Sequence, residues 1–234
     1  MRKVWLIAAL ALTLLLVSCR TTTTTTDYTD EQYDSVLSLV LERSQSDAIV
    51  NLFIRLNEYG DNMVPKDYSF LDEYRDRVPG MDSILGSWAH TITDFLIPNF
   101  DTFKTFVPEL FATVKKPDSK ALLQSSDDSI SAYYRTACFD DMVTDLEVFL
   151  DGLDVSVWHD AAVQYMAWVS TRAMLYDEEN PTMGQDFTEQ ELYHLVAEHL
   201  TDLFFTYLAR YETLFRTTPD PGMDSLASAI LGLE

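Results

Sequence analysis

The sequence predicts an all-α protein built as a multi-helix bundle. Its apolar residues recur at the three- and four-residue spacing of amphipathic helices. The clearest run comprises Val36, Leu37, Val40 and Leu41. Two capping-box patterns, Thr29 with Gln32 and Thr188 with Glu191, indicate where long helices start. No Asn-Gly or Asp-Gly hairpin turn separates alternating apolar runs, so we expect no strands.

Turn residues and candidate caps divide the chain into further helices. We expect Asp82 and Ser83 to cap one helix and Asp127 or Asp128 to cap another. We also expect residues 44–47 to break the first helix. The predicted helical ranges are 30–59, 68–77, 82–98, 99–114 with a kink or split at Pro108, 127–151, 156–176, a long helix from Thr188 onward, and a short amphipathic piece after Pro219–Gly222. Residues 177–187 are predicted to form the one clear interior loop.

A short segment occurs twice in the chain. Pro79-Gly80-Met81-Asp82-Ser83-Ile84 is followed much later by Pro221-Gly222-Met223-Asp224-Ser225-Leu226. The copies are either paired docking elements or the same turn-and-cap solution used twice. We favour the second interpretation, because the flanking residues do not match.

The N-terminal segment has the three parts of a bacterial export signal. Arg2 and Lys3 form a positive region, residues 4–17 form a mostly apolar run, and Ser18 is a small residue at the expected cleavage site. The run is shorter than the roughly 20 apolar residues that a membrane span needs. We therefore expect residues 1–18 to be a signal peptide.

The residues around the cleavage site carry a more specific signal. Leu16-Val17-Ser18-Cys19 resembles the lipobox of bacterial lipoproteins, in which the cysteine thiol is acylated with palmitate-like chains. The resemblance implies that Cys19 is lipidated. Two or more acyl chains anchor a protein stably, so Cys19 would hold the chain on a membrane without a transmembrane helix. Cys138 would then have no disulfide partner.

Residues 19–28 are expected to be the lipidated cysteine and a flexible tether, followed by one helical domain over 29–234. Thr21–Thr26 is a run of threonines with no large apolar side chain to bury. Arg20 occupies the position at which lipoproteins retained on the enterobacterial inner membrane carry aspartate. By this resemblance we expect a cell-envelope location, with the outer membrane favoured over the inner membrane.

The composition excludes some partners. The formal net charge is −22, and loss of Arg2 and Lys3 would make it −24. Such a charge repels phosphate backbones and anionic membrane surfaces, so we expect no nucleic-acid partner. A hydrophobic content of 47% with 12% aromatic residues nevertheless predicts a packed core rather than a disordered acidic chain.

No motif in the sequence identifies a catalytic or metal site. Glu191 and His194 have the Glu-x-x-His spacing of di-iron bundles, but such sites need two copies and two further glutamates. Cys138 lies on an apolar helix face and is expected to be a small buried side chain rather than a reactive thiol. We predict no catalytic residue, no metal and no cofactor.

Two polar or charged features leave alternatives open. Arg135, after Tyr134 on the helix that starts near Asp127, is expected to form a structural ion pair with a capping carboxylate. The alternative is that Arg135, Asp127 and Tyr134 bind an anionic ligand. An acidic run is either a solvated helix face, which we favour, or a surface for cations or a basic partner. It comprises Asp140, Asp141, Asp145, Glu147, Asp151 and Asp154.

An aromatic face on the last long helix allows two interpretations. Its central residues are Leu203, Phe204, Tyr207 and Tyr211. They belong either to the core, which we favour, or to the lining of a cavity for an apolar ligand.

Two blocks of the chain resemble an uncharacterised bacterial family, domain of unknown function 4197. The first runs from Asp118-Ser119-Lys120-Ala121-Leu122-Leu123 through Asp127 to Tyr133-Tyr134-Arg135. The second comprises Leu203-Phe204, Arg216, Asp220-Pro221 and the segment from Asp224-Ser225-Leu226 to Leu231-Gly232. Among the departures, Ser125-Ser126 replaces a Gly-Gly pair and Arg210-Tyr211-Glu212 replaces a triple glutamate. The resemblance implies an exported helical protein, often a lipoprotein, without an assigned activity.

These observations favour a membrane-anchored lipoprotein whose domain is a non-catalytic interaction module of the cell envelope. Its partners would be the membrane, through lipid on Cys19, and an envelope protein. The first alternative is a carrier or sensor of an apolar ligand, held in a cavity of the helical bundle. The second is an uncharacterised enzyme, for which the sequence offers no constellation of residues.

Overall fold

The computed structural model describes residues 27–58, 75–176, 188–220 and 222–233. These ranges are helical and contain no strand, which confirms the predicted all-α class. The α-helices, numbered here in chain order, are α1 (Asp30–Glu58), α2 (Met81–Leu96), α3 (Phe100–Thr113), α4 (Ser119–Leu123), α5 (Ser129–Phe149), α6 (Ser156–Tyr176), α7 (Glu189–Thr217) and α8 (Ser225–Leu231). A 3-10 turn, Ile97–Asn99, joins α2 to α3. None of these helices combines the length and apolarity of a membrane span.

Helix α1 begins at the predicted capping box and does not break where the sequence suggested. The Thr29 amide donates to Gln32 Oε1 at 2.8 Å, and the Gln32 amide donates to Thr29 Oγ1 at 3.3 Å. The predicted break at residues 44–47 is wrong, because helix continues through them. Ser44 is buried in the packed face of α1, so tertiary packing overrides the weak helix preference of serine at this position.

The predicted side-chain cap of α2 is also wrong. The helix begins at Met81 after Gly80, whose φ of 82° is readily adopted only by glycine, and no side chain caps it. Asp82 instead accepts a hydrogen bond from Arg75 at 3.1 Å. Residues 75–77, at the end of the predicted 68–77 helix, form a turn, and the rest of that range lies outside the described residues.

The second copy of the repeated segment behaves differently from the first. Asp224 caps α8, since its side chain accepts from the Ala227 amide at 2.7 Å. Helix α8 therefore begins at Ser225, whereas α2 begins at Met81, two positions earlier in the repeat. The two copies thus start their helices by different means, even though the local sequence is nearly the same.

Pro108 does not split α3, which runs continuously from Phe100 to Thr113. The proline ring is exposed, while Val107, Leu110 and Phe111 beside it are buried and hold this stretch against the core. Helix α5 contains a kink that the sequence did not predict, at Cys138 with φ −140° and ψ 16°. The Cys138 thiol donates to the Tyr134 carbonyl at 3.1 Å within this distorted turn.

Helix α7 is the centre of the described structure. It starts with the predicted capping box, in which the Glu191 amide donates to Thr188 Oγ1 and the Thr188 amide donates to Glu191. Helices α1 and α5 make the most extensive contacts with α7, and α2 packs chiefly on α6. Trp88 of α2 and Trp158 of α6 are fully buried, with ring centroids 5.2 Å apart. The core therefore lies along α7 and extends between α2 and α6.

We predict opposite effects from removing two buried threonine hydroxyls. Thr201 Oγ1 is buried and has no hydrogen-bond partner among the described residues, whereas Thr93 Oγ1 donates to the Leu56 and Ala89 carbonyls. Thr201→Val should raise the free energy of unfolding by about 1 kcal/mol, because valine has the same shape without an unsatisfied polar group.

Thr93→Val is the matched control and should lower the free energy of unfolding by about 1 kcal/mol. Urea denaturation of the full chain, followed by circular dichroism, measures both changes. A destabilised Thr201→Val variant would contradict the prediction.

Candidate functional site

The strongest concentration of buried charge lies at the end of α7. The buried face of this helix includes Thr201, Phe204, Phe205 and Leu208, and the same spacing continues to Glu212 and Arg216. Glu212 is 1% exposed and Arg216 is 5% exposed. The apolar stripe therefore ends in an ion pair enclosed by the start of α5 and the end of α4.

The Glu212 carboxylate caps α5 from another helix. It accepts from the Ile130 amide at 3.0 Å, the Ser131 amide at 2.7 Å and the Ser131 hydroxyl at 2.5 Å. These amides belong to the first turn of α5, where helix amides lack partners within their own helix. Asp128 stands at the N-cap position, but its side chain makes no capping bond. The predicted cap by Asp127 or Asp128 is therefore wrong, and Glu212 supplies one instead.

The Arg216 guanidinium binds backbone carbonyls around the end of α4. It donates to the Leu123 carbonyl at 3.0 Å, the Ser126 carbonyl at 2.7 Å and the Ser129 hydroxyl at 3.1 Å. Longer contacts, of 3.4–3.5 Å, reach two further carbonyls, of Leu122 and Ser125. Carbonyls at a helix end lack intrahelical partners and attract cations, so Arg216 satisfies the end of α4.

The pair itself closes the arrangement. Arg216 Nη1 donates to Glu212 Oε1 at 2.9 Å, one turn apart on α7. Glu212 lies at the start of α5 and Arg216 at the end of α4. Each charge is stabilised there, because a helix carries partial positive charge at its start and partial negative charge at its end. With four hydrogen bonds to Glu212 and almost no exposed surface, the cluster holds helices together and presents no reactive oxygen to solvent.

Arg135, singled out from the sequence, lies elsewhere. It forms an ion pair with Asp202 of α7, and its guanidinium stacks over Phe139 at 4.7 Å from the ring centroid. Asp127 is not its partner, and the Asp127 carbonyl accepts from Thr213 at 3.4 Å. Asp127 precedes α5, whereas Arg135 lies six residues beyond its first residue, Ser129, a rise of roughly 9 Å at 1.5 Å per residue. The structure thus brings Arg135 to α7 rather than to the start of α5.

Tyr134 points into the core. It is 7% exposed, and its ring stacks on Phe111 with centroids 4.5 Å apart. Burial, more than neighbouring Tyr133 and Cys138, raises the pKa of the Tyr134 phenol above its usual value. The predicted trio of Arg135, Asp127 and Tyr134 is therefore not brought together in one site.

At the centre of the aromatic face of α7, the rings of neighbouring residues pack around Phe204. Phe204 is fully buried, and its ring lies 5.2 Å from Phe205, 6.1 Å from Phe111 and 6.4 Å from Phe103. The other residues of the predicted lining are half-buried and pack against the core; they are Leu203, Tyr207 and Tyr211. Around Phe204, therefore, aromatic rings occupy the space that a ligand would need.

The remaining side chains of types found in catalytic or metal sites do not come together in one site. His194 pairs through Nδ1 with Glu147 of α5 at an exposed position. Glu191 is held in its capping box, where the Thr188 amide and hydroxyl lower the pKa of its carboxyl. Burial, with a further contribution from Asp141, raises the pKa of the Cys138 thiol to about 11. No group of three or more metal-ligating side chains occurs in the described ranges.

Surface depressions lie along α4 and α5. One, of about 260 Å³, lies beside Asp34, whose carboxylate accepts from Lys116 and from Ser119. These two donors lower the pKa of Asp34. A second, of about 410 Å³, follows α5 around its kink from Arg135 to Asp141. A smaller slot between α3 and α5, about 80 Å³, has apolar walls.

Several predictions fall outside the described residues: the signal peptide over 1–18, the lipidation site at Cys19, the threonine run 21–26 and the loop over 177–187. Conversely, residue patterns did not predict that Glu212, Arg216 and Ser131 belong to one cluster. A signal was present, because Glu212 and Arg216 continue the four-residue spacing of the apolar face of α7. The position of Ser131 opposite them depends on the packing of α5, which no local pattern specifies.

We predict that the loss of one partner costs far more stability at the buried pair than at the exposed pair. Arg216→Met should lower the free energy of unfolding by about 3–5 kcal/mol, because it leaves Glu212 charged and buried without its cation. Arg135→Met, the control, removes a pair whose partners are 44% and 33% exposed. It should cost no more than about 1 kcal/mol.

Urea denaturation of the full chain measures both values. Equal losses in the two variants would contradict the assigned role of the buried pair.

Comparison of the chain with protein-family models, with curated proteins and with solved structures found no match. The resemblance to the uncharacterised exported family therefore stays a prediction, and function is argued from the residues themselves.

Proposed function

We propose that this protein is a lipid-anchored, non-catalytic interaction module of the bacterial cell envelope. The main support for the proposal comes from Glu212 and Arg216, the charged side chains that are buried among the described residues. Glu212 and Arg216 bind each other and backbone groups at the start of α5 and near the end of α4. Catalytic groups, by contrast, lie in a cleft with perturbed acidity and access to substrate.

Cysteine, histidine and glutamate side chains are catalytic in many enzymes. The ones considered next are instead engaged in structural contacts. Cys138 is buried and its raised pKa keeps the thiol protonated near neutral pH, so it is a poor nucleophile. His194 and Glu147 form a surface pair between α5 and α7. Glu191 serves as a helix cap. This distribution favours an interaction module over an enzyme.

The dimensions of the interior also favour an interaction module over a carrier. Sites for drug-sized apolar ligands have volumes of roughly 300–1,000 Å³ and apolar walls. The apolar slot between α3 and α5 measures about 80 Å³, and four of the six side chains that line the larger depression around Arg135 are charged or polar. The centre of the α7 aromatic face is packed with rings.

The charge of the chain explains why an anchor would be needed. A net charge of −22 gives the domain no affinity for anionic lipid headgroups. Acyl chains on Cys19 would supply the membrane affinity, and the threonine run 21–26 would separate the domain from the bilayer. The arginine at position 20 favours the outer membrane as the place of attachment.

We predict that Cys19 carries the acyl chains. Cells that produce the full chain and are fed an alkyne-bearing palmitate analogue should yield labelled protein, and Cys19→Ser should abolish the label. Cys138→Ser is the matched control and should keep it, because Cys138 is 2% exposed inside α5. Label retained in Cys19→Ser would contradict the anchor.

We predict that the anchored domain contacts a particular envelope protein. A photo-crosslinking residue placed at Val148, which is 74% exposed on α5, should give a discrete protein adduct in living cells. Cys19→Ser should reduce this adduct, because the domain then leaves the membrane surface. Organic extraction of the purified full chain should release no stoichiometric apolar molecule. Release of such a molecule, with no adduct, would instead support a carrier.

A further inference from the structure

We propose that the face shared by α3 and α5 binds a cationic segment of a partner protein, which inserts one aliphatic side chain into the slot between these helices. This inference rests on the proposed function and specifies the chemistry of the partner. It follows from three features of the face: an apolar slot of limited volume, carboxylates without partners, and their spacing along α5.

The slot is apolar and open. It is lined by Thr102, Phe103, Phe106, Asp145, Leu146 and Phe149. Phe103 and Leu146 form its buried floor, whereas Phe106 and Phe149 are only half-buried. Its volume of about 80 Å³ is several times the roughly 10–15 Å³ that one water needs. This space suits a single leucine or methionine side chain and is too small for an acyl chain.

Asp145 lines the slot, and Asp141 lies one helical turn before it on α5. Both are exposed, as is Asp140 next to Asp141, and no described lysine, arginine or histidine forms an ion pair with them. Asp141 and Asp145 are one helical turn apart, a spacing at which like charges destabilise a helix. A partner's lysine or arginine would relieve this repulsion, whereas Arg135 nearby is already paired with Asp202.

The spacing of these features matches a polypeptide. From Asp141 to Phe149 the helix rises roughly 12 Å, at 1.5 Å per residue. Two turns of a partner helix cover this distance, which places a basic residue near the carboxylates and an apolar residue at the slot. Charge complementarity selects a cationic segment, because the whole chain carries −22 and repels acidic ones.

The test uses a defined probe. A fluorescein-labelled 12-residue peptide amide of alanine and lysine with one central leucine is titrated with the full chain in non-ionic detergent, and binding is followed by anisotropy. A second peptide carries serine in place of leucine. We expect saturable binding that weakens with salt, and roughly threefold to tenfold weaker binding of the serine peptide, because one aliphatic side chain is no longer buried.

Variants of the chain separate the charge from the slot. Asp141→Asn with Asp145→Asn should weaken binding roughly threefold to tenfold, as expected for two exposed charge contacts. Thr102→Phe fills the slot from an exposed position without changing charge, and should weaken the leucine peptide alone. The control pair, Glu42→Gln with Asp47→Asn, removes two exposed charges from α1 and should leave binding unchanged. Circular dichroism melting verifies that each variant is folded.

Three outcomes would overturn the inference. They are no saturable binding, equal weakening by the control pair, and the same affinity for both peptides. None of these outcomes contradicts the proposed function, which the crosslink at Val148 tests. An adduct formed at Val148 in cells, together with failure of the peptide, would keep the interaction module and remove this surface as its basic docking face.

Discussion

The Glu212–Arg216 pair connects three helices through their least satisfied backbone groups. Helix α5 begins where Glu212 accepts two of its amides, and α4 ends where Arg216 takes up its carbonyls. Both side chains come from α7, which also forms the largest contacts with α1 and α5. The path of the chain between α4 and α5 therefore depends on α7 being in place. The start of α5 has no side-chain cap of its own, since the N-cap Asp128 makes no capping bond.

This constraint also limits where function resides. A buried ion pair is tolerated only when most of its hydrogen bonds are made. Here the carboxylate and both terminal nitrogens of the guanidinium are bonded, whereas Arg216 Nε has no partner among the described residues. These two side chains present almost no surface to a ligand. The proposed recognition therefore involves exposed residues such as the carboxylates of α5, which lie beside half-buried phenylalanines.

Local patterns predicted much of the fold. The errors arise where contacts with residues outside the local pattern override it. The capping boxes of α1 and α7 and the limits of α6 follow from contiguous residues, so the sequence predicted them. The break at residues 44–47 failed because Ser44 is buried against other helices. The cap by Asp82 failed because Arg75 holds this carboxylate. Arg135 was recognised as the member of an ion pair, but its partner, Asp202, is 67 residues away.

By itself, the sequence determined the helical class, most helix positions and the apolar stripe of α7, because helical spacing and caps act over four residues or fewer. It also determined the acidic charge of the chain. The tertiary structure alone decided which polar residues meet. Glu212 and Ser131 are 81 residues apart, and only the packing of α5 on α7 brings them into contact. The same packing turned the aromatic face around Phe204 into core and left Asp141 and Asp145 exposed beside a slot, since neighbouring helices decide which side of a helix is covered.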